Sequence, residues 1–178
     1  MGVTPQELSY DTLLEREGRE VLYVPRSYSG YNLDPYREML TKANSILSLS
    51  DGGAHCGAIC DANMPTYILS HWTRDRSRGE KLPLEFAVKL QTSETARLYG
   101  LNDRGVLAEG KKADINLIDF TNLRVRAPEM VYDLPAGGRR FISRAEGYKH
   151  TIVSGEVVFQ DGEPTGAMPG KVVRGGQQ

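Results

Sequence analysis

Hydrophobic and polar positions in the first fifty residues alternate between a helical and a strand-like spacing. Residues 4–18 and 33–44 group their apolar side chains on one helical face, which predicts two helices. Residues 19–25 and 45–49 are short, mainly apolar segments that predict two buried strands. This helix–strand–helix–strand order is typical of a parallel α/β sheet or barrel.

The ends of the two predicted helices carry capping signals. Residues 4–7, Thr-Pro-Gln-Glu, are a capping box in which the Thr4 side chain caps the helix and the Glu7 carboxylate reaches back to it. Asn32 is expected to cap the second helix, and Gly18 is expected to end the first. These signals fix where the helices begin.

Three further helices are predicted in the middle of the chain, over residues 64–77, 82–91 and 92–100. Pro83 lies in the first turn of the second of these helices, and Gly100 closes the third. In the first of them, four side chains are spaced to share one face: Tyr67, Ile68, His71 and Trp72.

The pattern changes after residue 101, where glycine and proline separate short alternating segments. Residues 105–120 predict a short strand, a turn and a longer strand. Residues 148–162 predict a hairpin around Ser154-Gly155, and the end of the chain predicts loop with one short edge strand. We therefore expect a domain boundary near Leu101–Asn102.

Composition and charge exclude several classes of function. The chain has 178 residues, 39% of them hydrophobic and 25% charged, with a formal net charge of −1, as is ordinary for a globular protein. This balance offers no basic surface for nucleic acid or for an anionic membrane. We expect neither a membrane span nor a signal peptide. The two cysteines, Cys56 and Cys60, suit a reduced pair and point to the cytoplasm.

The segment Ser-Asp-Gly-Gly-Ala-His, residues 50–55, carries the strongest indication of chemistry. A strand that ends at Asp51 and continues in glycines places a carboxylate at the C-terminal rim of the sheet, where barrel enzymes hold catalytic groups. The glycines let backbone and substrate approach closely. A carboxylate there can bind a metal ion, accept a proton from water, or both. The alternative is that Asp51 only caps the following turn.

A metal site built from local residues is a second, weaker interpretation. The candidate ligands are His55, Cys56, Cys60, Asp61 and His71. Their spacing matches none of the standard structural zinc patterns, which need two separated ligand pairs. Residues 100–105 and 135–140 combine glycine with arginine, which suits an anion site, although turns with solvated guanidinium groups are the favoured interpretation.

Three groups of motifs carry a resemblance to a known family. The resemblance runs in register along the chain through these segments: SDGGAH (50–55) with ICDA (59–62), GVLAEGKKADINLIDF (105–120) and PAGGRRF (135–141). Together they resemble the C-terminal third of the D-aminoacylases, the N-acyl-D-amino-acid deacylases of the amidohydrolase superfamily. The second motif is similar to a signature shared with dihydroorotases, whereas the first and third narrow the resemblance to the deacylases.

The resemblance implies an α/β fold, the C-terminal fragment of a metal-dependent (β/α)8 barrel followed by part of a small β-sandwich domain. Residues 1–101 would supply the last strands and helices of the barrel, and residues 102–178 the sandwich segment. Asp51 corresponds to the family's aspartate at the end of the last strand, a metal-binding residue that serves as general base and then as acid. His55 is implied as a neighbour in the active site, without an assigned role.

Most of the metal site that the resemblance implies is missing from this sequence. The family holds zinc through histidines and a cysteine on early barrel strands, whereas this chain has three histidines and no His-x-His pair. Cys56 and Cys60 do not match the family's ligand cysteine. We therefore expect the C-terminal piece of a zinc-dependent deacylase, inactive without a missing N-terminal barrel segment that supplies most zinc ligands.

The expected small-molecule partner is an N-acyl-D-amino acid, whose acyl group and side chain the sequence does not specify. Neither nucleic acid nor a membrane is expected as a partner, and homo-oligomerisation is left open. Two alternatives remain from the sequence. One is a related hydrolase of cyclic amides, of the dihydroorotase or hydantoinase type. The other is a non-catalytic module whose sandwich mediates assembly.

Overall fold

A computed structural model of the chain describes residues 2–24, 32–47, 50, 52–53 and 55–174. The chain divides into two compact units, residues 1–41 and residues 42–178. The boundary expected at Leu101–Asn102 falls inside the second unit, between its last helix and its first strand. That boundary stays a prediction about the barrel and the sandwich.

Among its described residues, the first unit has two helices, α1 over Pro5–Gly18 and α2 over Asp34–Leu40. The predicted capping box is confirmed. The Glu7 N–H donates to the Thr4 hydroxyl at 3.2 Å, and the Thr4 N–H donates to the Glu7 carboxylate at 2.7 Å. The Thr4 N–H, and next the Thr4 hydroxyl, which donates to the same carboxylate at 2.9 Å, favour the charged carboxyl and so lower the pKa of Glu7.

The second helix of this unit is shorter than the sequence predicts. It ends at Leu40. There the Thr41 hydroxyl donates to the main-chain oxygens of Arg37 and Glu38, two carbonyls of the last turn. The side chain of Asn32 accepts a hydrogen bond from the Asp34 N–H at 2.9 Å, so this residue does satisfy a donor at the helix start.

The prediction of two parallel strands is wrong for every residue of these segments that the structure describes. Residues 19–24 and 45–47 form no strand, while Pro25, Ser48 and Leu49 lie outside the described residues. An apolar segment becomes a strand only when a neighbouring strand takes up its N–H and C=O groups. No strand pairs with either segment in the described ranges, so the barrel implied by the resemblance is not seen here.

The three helical segments predicted in the second unit are confirmed, each shorter than expected. They are α3 over Met64–Tyr67, which continues as a π-helix over Ile68–Asp75, followed by α4 over Leu84–Gln91 and α5 over Ser93–Leu98. The wider π turn is marked by the Arg76 N–H, which donates to the His71 oxygen five residues back at 2.8 Å.

The strands of the second unit lie between residues 115 and 164. They are β1 over Ile115–Ile118, β2 over Arg124–Val125, β3 over Glu129–Leu134, β4 over Gly138–Ile142, β5 over Ala145–Glu146, β6 over Tyr148–Val153, β7 over Glu156–Gln160 and β8 over Glu163–Pro164. One sheet has the order β1-β6-β7-β8, and β2 pairs with β5 and β3 with β4. Every one of these pairings is antiparallel.

The hairpin predicted over residues 148–162 is confirmed as β6 and β7. Ser154 and Gly155 have φ of +52° and +85°, the two positive values that a two-residue type I′ turn requires. The predicted edge strand is β8. The first of the two strands predicted within residues 105–120 does not form, because the chain there makes a tight turn in which the Lys111 N–H donates to the Ala108 oxygen at 3.1 Å.

The core of the second unit joins the helices to the sheet. Its centre is formed by Leu69, Ala87 and Leu123, and partly buried side chains pack around it: Ile68, Leu84, Ile118, Phe120 and Tyr148. The Tyr148 hydroxyl also forms a hydrogen bond of 3.0 Å with the hydroxyl of buried Thr66. None of the helices in the described ranges has the length and apolar character needed to span a membrane.

Arg74 ties the π-helix to the turn between β1 and β2. Its guanidinium donates to the main-chain oxygens of Phe120, Thr121 and Leu123, the last two at 3.2 and 2.6 Å. Two further hydrogen bonds, of 2.6 and 2.8 Å, join it to Asp75. One planar, charged side chain therefore satisfies several main-chain acceptors of this turn.

Replacing Arg74 by lysine is expected to lower the free energy of unfolding by about 1–3 kcal/mol, because a lysine ammonium cannot span the same acceptors. Arg97→Lys is the matched control. Arg97 is 76% exposed and pairs with Glu94 on the surface of α5, so little change is expected there. Urea unfolding followed by the fluorescence of Trp72 measures both variants. Equal losses in the two variants would contradict this role of Arg74.

Candidate active site

Asp51, which the sequence places at the centre of the site, lies outside the described residues, as does Ala54. Its position at the rim of a barrel strand, and its roles as metal-binding residue and general base, therefore stay predictions. The structure describes the chain on both sides of it, and these neighbours show which elements hold the site.

The chain leading to Asp51 is held by α5. The hydroxyl of Thr95 lies 3.2 Å from the main-chain oxygen of Leu47 and 2.8 Å from that of Leu90. The Thr95 hydroxyl of α5 therefore shares its proton between the end of α4 and the chain that approaches Asp51. Leu47 and Ser50 are half-buried, so this approach is packed against the unit.

The loop after Asp51 is built for close approach. A Cβ added at Gly52 would lie 3.2 Å from the Cβ of Ala62, tighter than most side chains tolerate. His55 has a φ of +60°, and its carbonyl accepts hydrogen bonds from the N–H groups of Ala58 and Ile59 at 2.8 and 2.9 Å. The loop therefore turns back on itself over residues 55–59.

The side chain of His55 is exposed and makes no hydrogen bond or ion pair with any residue that the structure describes. Its left-handed backbone is a rare conformation for a residue other than glycine or asparagine, and such conformations cluster at functional sites. The role of His55 as a neighbour of Asp51 stays a prediction.

The far side of this loop lies against β4. The Phe141 N–H donates to the Cys56 carbonyl at 2.6 Å, and a Cβ at Gly57 would lie 3.6 Å from the carbonyl oxygen of Arg139. A single sequence carries no indication of these contacts, because they join main-chain groups and any residue type supplies them.

The local zinc interpretation receives no support. In the described ranges, no three His, Cys, Asp or Glu side chains converge in a way that could hold a metal ion. Cys56 and Cys60 are free thiols, both half-buried. His71 instead stacks on Tyr67, with ring centroids 4.6 Å apart.

The surroundings of His71 favour a packing role. Its ring meets the edge of Trp72 at 5.6 Å between centroids, and the guanidinium of Arg76 lies 4.7 Å from the Trp72 ring centroid. Burial, and next the positive charge of Arg76, lower the pKa of His71. His71 is therefore a neutral ring at neutral pH, stacked within the helical layer.

The two arginine-containing turns hold ion pairs. Arg104 donates to Asp103 at 2.9 Å and to Asp114 at 3.0 Å. Arg140 donates to Asp133 through two hydrogen bonds, of 2.8 and 2.7 Å. These carboxylates neutralise both guanidinium groups, so they are paired and not simply solvated. Residues 135–137 form a turn, whereas Arg140 lies in β4.

The Cys60 thiol provides a chemical test of the metal question. Burial, and next the negative charge of Asp61, raise the pKa of Cys60. In a Cys56→Ser variant, iodoacetamide is expected to modify Cys60 more slowly at neutral pH in the folded chain than in urea, because less thiolate is present. Mass spectrometry follows the reaction. Protection that disappears with a chelator would instead indicate a metal thiolate.

Comparison with known proteins adds relatives to this geometry. A family profile described as "Amidohydrolase family" matches residues 18–159. The N-acyl-D-glutamate deacylase of Alcaligenes xylosoxydans xylosoxydans is 34% identical over 109 residues, which cover 61% of this chain and 20% of that protein. An allantoinase of Rubrobacter xylanophilus is 32% identical over 100 residues, covering 54% and 21%.

A dihydroorotase of Methanothermobacter thermautotrophicus is 33% identical over 88 residues, which cover 49% of this chain and 20% of that protein. The chain thus spans about one fifth of the length of the curated relatives it matches. No solved structure matches the chain with statistical significance. The three relatives are named for different substrates: N-acyl-D-glutamate, allantoin and dihydroorotate.

Proposed function

Because the chain belongs to the amidohydrolase family, we propose that it carries the general base, Asp51, of an enzyme that hydrolyses N-acyl-D-amino acids. The observation that supports this substrate class is the 34% identity over 109 residues with an N-acyl-D-glutamate deacylase. The Asp-Gly-Gly segment at residues 51–53 supplies the carboxylate and the open loop that such chemistry needs.

Asp51 would act twice in one turnover. It first removes a proton from water while the water oxygen attacks the amide carbon. The C–N bond then breaks, and the same carboxyl gives its proton to the departing amine. The products are the carboxylic acid of the acyl group and the free D-amino acid, and Asp51 is again a carboxylate.

We propose zinc as the metal of the complete enzyme, with most of its ligands outside this chain. The described residues do not fit a complete site, because they assemble no group of three ligating side chains. The partner that supplies the missing ligands would be an N-terminal barrel segment. The same proposal assigns residues 1–101 to the end of a (β/α)8 barrel and residues 102–178 to a β-sandwich, in a cytoplasmic enzyme.

Hydrolysis of a cyclic amide is the second candidate function. It is favoured by the allantoinase and the dihydroorotase, whose identities with this chain, 32% and 33%, are close to that of the deacylase. The two functions share the attack of water on an amide carbon and differ in whether the amine leaves or stays attached through a ring.

An assay of the complete enzyme on three substrates separates the candidates. We expect release of D-glutamate from N-acetyl-D-glutamate, and little or no ring opening of allantoin and dihydroorotate. N-acetyl-L-glutamate serves as the control for configuration. Ring opening of either cyclic amide without deacylation would refute the proposed substrate class and leave the second candidate.

A further inference from the structure

The β3–β4 hairpin is joined to the loop that follows Asp51, and the chemistry described above assigns it no role. The first contact is the hydrogen bond of 2.6 Å from the Phe141 N–H to the Cys56 carbonyl. Cys56 is five residues after Asp51 in the sequence and lies in the turn that begins at His55.

The register of the hairpin explains why this N–H is available. Glu129 pairs with Ile142 and Val131 pairs with Arg140 in the antiparallel ladder. Phe141 lies opposite Met130, and because its N–H donates to Cys56 this is one of the non-bonded pairs that alternate with hydrogen-bonded ones. The Cys56 carbonyl therefore accepts the hydrogen bond of an N–H on the edge of β4 that faces away from β3. Left unpaired, an N–H at a strand edge can pair with another chain.

A second contact holds the end of the same loop. The side-chain amide of Asn63 donates to the hydroxyl of Ser143 at 2.9 Å, directly after β4. Between the two contacts, the chain at Gly57 runs close enough to β4 that a Cβ would touch the Arg139 oxygen at 3.6 Å. Residues 56–63 are thus held at two points, to β4 and to the residue that follows it.

The hairpin has side-chain contacts of its own between its two strands. Arg140 and Asp133 are joined by two hydrogen bonds between β4 and β3. The strands are closed by a 3₁₀ turn over Pro135–Gly137, in which Ala136 has a φ of +58°. Pro135 restricts the backbone of the turn, and release of the loop from the hairpin would break the contacts at Cys56 and Asn63.

We propose that the β3–β4 hairpin is a positioning element for Asp51, acting through Ser143 and the Phe141 N–H on residues 56–63 of the loop that follows it. The proposal rests on the proposed function of Asp51. Through the contacts at Cys56 and Asn63, the chain that follows Asp51 is held to the hairpin. A misplacement of about 1 Å at a reacting group can cost on the order of 10²-fold in rate.

The kinetic test uses two substitutions at one position. Ser143→Ala removes the acceptor of the Asn63 amide, whereas Ser143→Thr keeps a hydroxyl. In the complete enzyme, the alanine variant is expected to lose about tenfold or more in kcat with KM changed by less than about twofold. The threonine variant is expected to stay within about twofold of the unmutated enzyme in both constants.

The structural test measures the two contacts between the loop and the hairpin, at Phe141 and at Ser143, without any turnover. The Phe141 amide is expected to exchange slowly with deuterium in the 178-residue chain and about fivefold faster in Ser143→Ala, since one supporting hydrogen bond is lost. The amides of Arg140 and Ile142, which face β3, should keep their protection and so show that the hairpin is folded.

Each outcome has one meaning. An unprotected Phe141 amide in the unmutated chain would show that the hydrogen bond to Cys56 does not hold the loop, and it would overturn the proposal whatever the activity. An active enzyme whose kcat is unchanged by Ser143→Ala would overturn the positioning role and leave the proposed function standing. Absence of amide hydrolysis by the unmutated complete enzyme, with Phe141 still protected, would refute the proposed function and the positioning role with it.

Discussion

Replacing Asp51 by asparagine is expected to lower the kcat of the complete enzyme by about 10²- to 10⁴-fold, the usual contribution of a general base or acid. Asparagine keeps the shape of the side chain and cannot take a proton from water. Steady-state deacylation of N-acetyl-D-glutamate measures the loss. The acid limb of the pH–rate profile, which reports ionisation of the base, is expected to disappear in the same variant.

Asp161→Asn is the matched control for this substitution. Asp161 lies in an exposed turn after β7 with a φ of +47°, a conformation that asparagine tolerates well, and its carboxylate pairs with Lys149 at 3.3 Å. Its replacement should leave kcat within about twofold, because a screened surface pair contributes little. A full kcat in the Asp51 variant would mean that another group accepts the proton.

Replacing Gly147 by alanine is expected to lower the free energy of unfolding of the second unit by about 3 kcal/mol or more, from positive φ and main-chain overlap combined. Gly147 has a φ of +100°, and an added Cβ would lie 2.7 Å from the Leu123 Cα and 3.0 Å from the Asp119 oxygen. Leu123 is fully buried, and the Asp119 N–H donates to the Gly147 oxygen at 2.7 Å. Neither group can retreat without loss.

Gly155→Ala separates the overlap from the backbone strain. Gly155 has a similar φ of +85°, but an added Cβ would meet no atom within 4 Å. Its replacement is expected to cost about 1 kcal/mol, the penalty of the left-handed conformation alone. Urea unfolding monitored at Trp72 compares the two variants. Equal costs would contradict the close approach of Gly147 to Leu123.

Features that depend on a few neighbouring residues could be predicted from the sequence. The capping box at Thr4 and the turn at Ser154-Gly155 are set by local geometry, and both form as predicted. The strands predicted over residues 19–25 and 45–49 depend on neighbouring strands, which the sequence of one segment cannot supply. For this reason an apolar pattern alone was insufficient there.

The same distinction applies to the candidate site. Asp51 could be singled out because a carboxylate between an apolar segment and two glycines is a recognisable arrangement. The contacts that hold its surroundings could not, because the Thr95 hydroxyl and the Phe141 N–H bind main-chain oxygens. Main-chain acceptors are supplied by every residue type, so nothing in the sequence of residues 47 or 56 marks them.

The most direct test of the central claim is an amide-hydrolysis assay of the purified 178-residue chain, alone and mixed with a polypeptide that supplies the other barrel strands of the family. The account predicts no turnover by the chain alone, turnover by the mixture in the presence of zinc, and none when the mixture contains the Asp51→Asn chain. Hydrolysis of N-acetyl-D-glutamate by the isolated chain, or an active mixture that tolerates Asp51→Asn, would contradict it.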